Sequence, residues 1–156
     1  MKTVLITAIV AVMAIQGVAQ DYEFDETWVP TFEIGVIMGV PTGFSAKYWM
    51  GPRRALDAGI ALNLFDDESV EFYGDYLFNL AAPEVQGGRL PLYIGLGPTF
   101  GVGDEEFSFG GRVPVGAQYL IPNGRLTFFA EIAPIVEFVP NSDFSVGGGG
   151  GVRLAF

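Results

Sequence analysis

Histidine and cysteine are both missing from this 156-residue chain. Without cysteine there is no disulfide framework, no thiolate nucleophile and no lipobox for a lipid-anchored N-terminus. Without histidine the usual catalytic triads and most transition-metal sites lose their central member. Basic residues are scarce as well: 8 lysines and arginines stand against 18 acids, a formal charge of −10. A chain so acidic has no basic surface for nucleic acid. The glycine-rich Gly101-Val102-Gly103-Asp104 is not a phosphate loop, because no helix and no Lys-Ser/Thr follow it. Catalysis, cofactors and a metal centre are therefore not expected.

Long apolar runs are nearly absent too, the exception being Thr3 to Ile15, with Lys2 before it and Gly17-Val18-Ala19 after it. A charged start, a short apolar run and small residues at −3 and −1 make a secretory signal, with cleavage expected after Ala19. The run is too short for a membrane-spanning helix, and the acidic stretch from Asp21 to Glu26 follows at once. The expected organisation is a signal peptide over 1–19, an acidic segment over 20–30 and one domain over 31–156.

From Thr31 onward no apolar stripe has helical spacing, whereas alternation at period two continues to the end. An all-β domain follows. Eight strands are expected: Thr31 to Val40, Gly43 to Trp49, Ala55 to Leu64, Val70 to Phe78, Leu90 to Phe100, Phe107 to Leu120, Leu126 to Phe138 and Phe144 to Phe156. Of the short connections between them, only Asn79 to Arg89 is long enough to hold its own shape. Pro98, Pro114 and Pro134 each remove a ladder hydrogen bond, so bulges or early strand ends are expected there.

Residues i and i+2 share a face of a strand. One face of every strand is bulky and uncharged, as in Phe32, Ile34, Val36, Met38 and Val40; the other is rich in small residues and carries the charges. An eight-stranded barrel has an interior only just wide enough for side chains to fill. The bulky set does not fit there, whereas the small and charged set does. The expected architecture is an eight-stranded antiparallel up-and-down transmembrane β-barrel with its apolar face toward lipid. A soluble periplasmic lipocalin-like barrel is the alternative. An even strand count puts both termini on one side, the periplasm if the chain is exported to the bacterial outer membrane. Tyr48, Tyr76, Tyr119 and Phe128 then lie near the periplasmic rim, and Phe44, Phe72, Phe100, Phe107, Phe138 and Phe144 near the outer rim, as two aromatic girdles.

Four segments, Gly39-Val40-Pro41-Thr42-Gly43-Phe44-Ser45-Ala46-Lys47-Tyr48-Trp49, Asp75-Tyr76-Leu77, Arg112-Val113-Pro114-Val115-Gly116 and Phe129-Ala130-Glu131-Ile132-Ala133-Pro134, keep their order across nearly the whole mature chain. In these the sequence resembles a family of small uncharacterised outer-membrane β-barrel proteins. The resemblance implies that fold and location, and brings no catalytic residue. The ending Gly151-Val152-Arg153-Leu154-Ala155-Phe156 looks like the C-terminal signal read by the barrel-assembly machinery, with Leu154 and Phe156 as its apolar members.

Lys47, Asp75, Arg112 and Glu131 fall mid-strand on the inward face, two of each sign at similar depth, so pairing is expected. Arg112 is expected to bridge Glu131 on the adjacent strand. Nearer the termini Glu33 and Asp57 share a level with Arg153, whereas Glu71 and Glu137, toward the outer mouth, have no obvious basic partner. These charges read as a plug that fixes the barrel's register; a proton or cation path is the sharper alternative. The outward loops hold Asp66-Asp67-Glu68, Asp104-Glu105-Glu106 and Asp143, and the opposite turns hold Arg53, Arg54, Arg89 and Arg125 against Glu84. The acidic runs read as solvated surface, or as weak Ca²⁺ or Mg²⁺ bridges to lipopolysaccharide, although EF-hand spacing is absent. The functional expectation is a monomeric envelope barrel with a structural or interaction role, its partners being outer-membrane lipid, lipopolysaccharide and the assembly machinery. The alternative is a narrow barrel for transport or small-ligand binding.

Overall fold

The computed structural model describes residues 29–40, 42–63, 69–103, 107–121 and 125–156. The expected signal peptide, most of the acidic segment and the runs Asp66–Glu68 and Asp104–Glu106 lie outside them. The described chain is all β: β1 (Phe32–Val40), β2 (Thr42–Trp49), β3 (Arg54–Asn63), β4 (Ser69–Ala81), β5 (Glu84–Val85), β6 (Gly88–Arg89), β7 (Leu92–Val102), β8 (Phe107–Arg112), β9 (Val115–Leu120), β10 (Leu126–Val139) and β11 (Asp143–Ala155). Strands β8 and β9 are two halves of one stave, pairing with β10 on one side and β7 on the other. Every ladder is antiparallel, and β11 closes on β1 from Glu33↔Ala155 to Val40↔Gly148. The result is a closed eight-stranded barrel, which leaves no long unpaired edge.

Its large apolar side chains point outward. Met38, Phe44, Leu96 and Phe156 are each at least 65% exposed, and every stave contributes exposed apolar residues. The interior is filled by charged, polar and aromatic groups, among them Arg153, Lys47, Glu33, Gln118 and Tyr93, all at 1% exposure or less. Period-two alternation thus runs inside-out relative to an ordinary core, as the volume argument requires.

The sequence reading needs correction at its prolines and in the Asn79 to Arg89 connection. Pro114 divides β8 from β9, but Pro98 and Pro134 stay inside β7 and β10. Opposite Pro98 the β4–β7 ladder lapses between Tyr73↔Thr99 and Tyr76↔Leu96, so its missing N–H leaves no bond broken. Val113 N donates to the carbonyl of Pro134 at 3.0 Å, a bond that asks nothing of the proline nitrogen. The register shifts fall instead at Asn79/Ala81 and Glu137/Val139. The segment expected as a loop from Asn79 is partly strand, since β4 continues to Ala81 and the β5–β6 hairpin joins the sheet at β9 through Arg89↔Leu120. The barrel end that carries these segments is filled by Trp49, Ala55, Leu77 and Tyr93, with Val29 packed against them.

Candidate functional site: a cross-braced charge cluster in the lumen

The register sets charges side by side around the wall. Glu33 pairs with Lys47, Lys47 with Asp57, and Asp57 with Asp75, a row crossing β1 to β4. Their side chains nonetheless find partners from across the lumen, although Asp75 meets its partner as an ion pair and neither of its oxygens accepts a hydrogen bond. Arg153 on β11 donates from Nη2 to Asp57 Oδ2 on β3 at 2.8 Å and to Ser45 Oγ at 2.6 Å. Arg112 on β8 pairs through Nε with Asp75 Oδ2 at 3.2 Å and through Nη2 with Glu131 Oε1 at 2.6 Å. The other carboxylate oxygen of Glu131 accepts from Tyr93 at 2.9 Å. Arg112 reaches Asp75 past β7, and the residue opposite it there is Gly97, where a Cβ would strike Asp75.

The expected Arg112–Glu131 bridge is therefore present, and Asp75 joins it. Arg153 meets Asp57. One expectation needs correction. Lys47 has no carboxylate partner among the ion pairs of the described residues; its Nζ donates to Gln118 Oε1 at 2.7 Å. Glu33 is held by two neutral donors and not by Arg153: Gln118 Nε2 at 3.0 and 2.9 Å, and Thr127 Oγ1 at 2.6 Å. Gln118 thus stands between an ammonium and a carboxylate, its carbonyl turned to one and its amide to the other. Uncharged residues such as Gln118, Thr127 and Ser45 escape a search for charges; their inward parity is the signal that could have found them.

Each of the three cations also lies on an aromatic ring, and each ring lies over a glycine. Arg112 Cζ is 4.1 Å from the Tyr73 ring centre, Lys47 Nζ is 4.9 Å from that of Tyr93, and Arg153 Cζ is 3.7 Å from that of Phe129. Tyr73 is registered opposite Gly59, Tyr93 opposite Gly116 and Phe129 opposite Gly151. At all three glycines a methyl group would run into the facing ring. The wall is cut away by one side chain, a ring fills the notch, and a cation takes the ring's free face. Such contacts are worth roughly 0.5–2 kcal/mol each, more where desolvated. Lys47 gains a second ring, Trp49, at 4.1 Å.

Beside the Arg112 arm lies a cavity of about 10 Å³, lined by Tyr73, Arg112, Glu131, Ile37, Ala133 and Ile135. That is about the space one water requires. Toward the mouth the lining becomes apolar, and Glu71, half-buried, accepts from Thr99 Oγ1 at 2.7 Å. Glu137 is also half-buried and stands opposite Asp143, the first residue of β11. No group of three or more acidic side chains among the described residues is arranged to hold a metal ion. At the other end Leu154 and Phe156 face outward, about half and two-thirds exposed. The backbone of Phe156 docks on the start of β1, its N donating to Phe32 O and its carbonyl accepting from Thr31 and Phe32.

The lumen is thus a set of braces. The seven charges of this cluster sit at 6% exposure or less, and apart from Arg112–Glu131 and Ser45–Asp57 the contacts that hold them tie staves that are not neighbours. Comparison with protein-family models, with curated proteins and with solved structures finds no match to this chain.

Proposed function

We propose that this chain is a small outer-membrane β-barrel that spans the bilayer as a monomer, with a structural or interaction role in the cell envelope and a lumen closed by its charge cluster. The observation that carries the reading is the inversion of polarity: exposed apolar side chains surround a closed barrel whose interior holds Glu33, Lys47, Asp57, Asp75, Arg112, Glu131 and Arg153. A lipocalin-like barrel in water would put the apolar set inside. Monomeric soluble proteins rarely expose a contiguous apolar patch beyond a few hundred Å²; here the apolar face runs round all the staves.

Length agrees. The nine residues of β1 extend about 30 Å at roughly 3.3 Å per residue. A tilt of about 40° leaves about 23 Å along the barrel axis, close to the apolar band of outer-membrane barrels. Closure supplies the other requirement of hydrocarbon, since every stave finds its backbone partners within the barrel. The apolar signal-like run at the N-terminus supports export, and the sequence resemblance supports the outer membrane as destination.

Fractionation of cells expressing the full chain tests this reading. The expected result is recovery with outer membranes after alkaline extraction, and a band that changes mobility on a gel when the sample is heated. Recovery as a soluble periplasmic protein would overturn it.

A further inference from the structure

The placement of positive charge is more selective than the lumen alone explains. Of the chain's 8 lysines and arginines, Lys2 lies outside the described residues and Lys47, Arg112 and Arg153 are buried in the lumen. The remaining four, Arg53, Arg54, Arg89 and Arg125, stand at one rim, the end that carries the β2–β3 turn, the β5–β6 hairpin, the β9–β10 turn and both termini of the barrel. Among the described residues no basic one stands at the opposite rim, where the acids are Glu71, Glu137 and Asp143.

At the basic rim Arg53, Arg54 and Arg125 are exposed and Arg89 is partly covered; Arg89 pairs with Glu84 at 2.9 Å. Arg54 has a distinctive position. It opens β3 on the outward face, in the same column as Leu56, and its register partner is Phe78. Phe78 in turn packs on Tyr76, with ring centres 4.8 Å apart. Arg54 thus opens the strand one step beyond the apolar face, registered beside one of two packed aromatic residues. That is the arrangement expected where hydrocarbon gives way to headgroups: rings at the interface, and a long basic side chain reaching past them to water. Guanidinium binds phosphate through paired hydrogen bonds in fixed geometry.

We propose that this rim is a binding site for the phosphate of anionic phospholipid headgroups, with Arg53 and Arg54 at the tip of β2–β3 as its principal seat and Arg125 as a second. The proposal rests on the membrane reading and deepens it: the basic rim selects a phospholipid leaflet, while the acidic rim repels the same headgroups.

The test uses the full barrel folded into mixed micelles containing phosphatidylglycerol and phosphatidylcholine in equal amounts, with retained lipids counted by native mass spectrometry. The wild-type barrel is expected to retain phosphatidylglycerol in preference, and to lose the preference as salt is raised. Arg53→Gln with Arg54→Gln, and separately Arg125→Gln, should each lower the enrichment, roughly fivefold per arginine removed. Heat-modifiable mobility shows whether each variant has folded, and the Arg125 variant reads out the site independently if the double variant does not fold. Equal retention of the two lipids by wild type, or unchanged enrichment in the folded variants, overturns the proposal. Displacement of phosphatidylglycerol by inorganic phosphate with the same arginine dependence assigns the site to free phosphate and overturns the lipid assignment. A barrel that enters neither micelles nor vesicles defeats the membrane reading itself, an outcome distinct from loss of lipid preference.

Discussion

Arg112 has a carboxylate on either side and a ring beneath it, so its removal strands two buried acids at once. Breaking a buried pair from one side typically costs about 3–5 kcal/mol, whereas replacing all members by neutral groups of similar size is often tolerated. Arg112→Met is accordingly expected to lower the unfolding free energy by about that amount, read from urea unfolding in lipid vesicles. Adding Asp75→Asn and Glu131→Gln to Arg112→Met should recover most of the loss. An unchanged or more stable single variant would show that the bridge does not hold the lumen together. Gln118 gives a second test without altering charge. Gln118→Leu removes the acceptor of Lys47 and a donor of Glu33 together, and each unsatisfied group costs about 1–3 kcal/mol. The same unfolding assay is expected to place this neutral change near Arg112→Met in severity. At this scale the sequence is a partial guide. Parity identifies which charges point inward, and adjacency of strands suffices for Arg112 with Glu131. It does not suffice for Arg153 with Asp57 or Gln118 with Glu33, because those partners meet only after the sheet closes with a particular stagger.

Strand boundaries are the most legible feature of the chain, since a lipid-like face and a polar face alternate without interruption; β2 and β10 each lie within a residue of expectation at both ends. Proline is less legible. Its effect depends on whether the missing N–H faces a ladder bond or a lapse, and only Pro114 interrupts a stave. Glycine carries information of another kind. Gly59, Gly116 and Gly151 are inward positions whose missing side chains admit Tyr73, Tyr93 and Phe129 from the neighbouring strand. Gly59→Ala is expected to displace the Tyr73 ring, and with it the support under Arg112, at a cost of about 1–3 kcal/mol as for other overpacked interiors. In a Tyr73→Ala background the same substitution should cost much less. A double-mutant cycle on unfolding free energy measures the difference. A coupling near zero would mean that Tyr73 and Gly59 are neighbours without depending on one another.

Across the whole molecule, the braces bear on whether the proposed barrel is closed or a conduit. An ion crossing the lumen must pass the Arg112 arm, which holds β8 to β4 and β10, and then the Lys47–Gln118–Glu33 link, which ties β2 to β9 and β9 to β1. Below these lies the apolar filling of Trp49, Leu77 and Tyr93. Permeation requires sites favourable enough to enter and weak enough to leave, whereas these groups are already committed to one another at hydrogen-bonding distance. The wild-type barrel is therefore expected to be silent in planar bilayers under an applied potential. The Arg112→Met, Asp75→Asn, Glu131→Gln variant keeps side chains of similar size and leaves the Lys47–Gln118–Glu33 link and the apolar filling in place, so it is expected to stay silent as well. Reproducible steps in the wild-type protein, abolished by Lys47→Ala or Arg112→Ala, would make the cluster a permeation path and the closed reading wrong. Silence in both wild type and triple variant would place the barrier in the Lys47–Gln118–Glu33 link and the apolar filling at the turn end, leaving the Arg112 arm as a device that holds staves in one register.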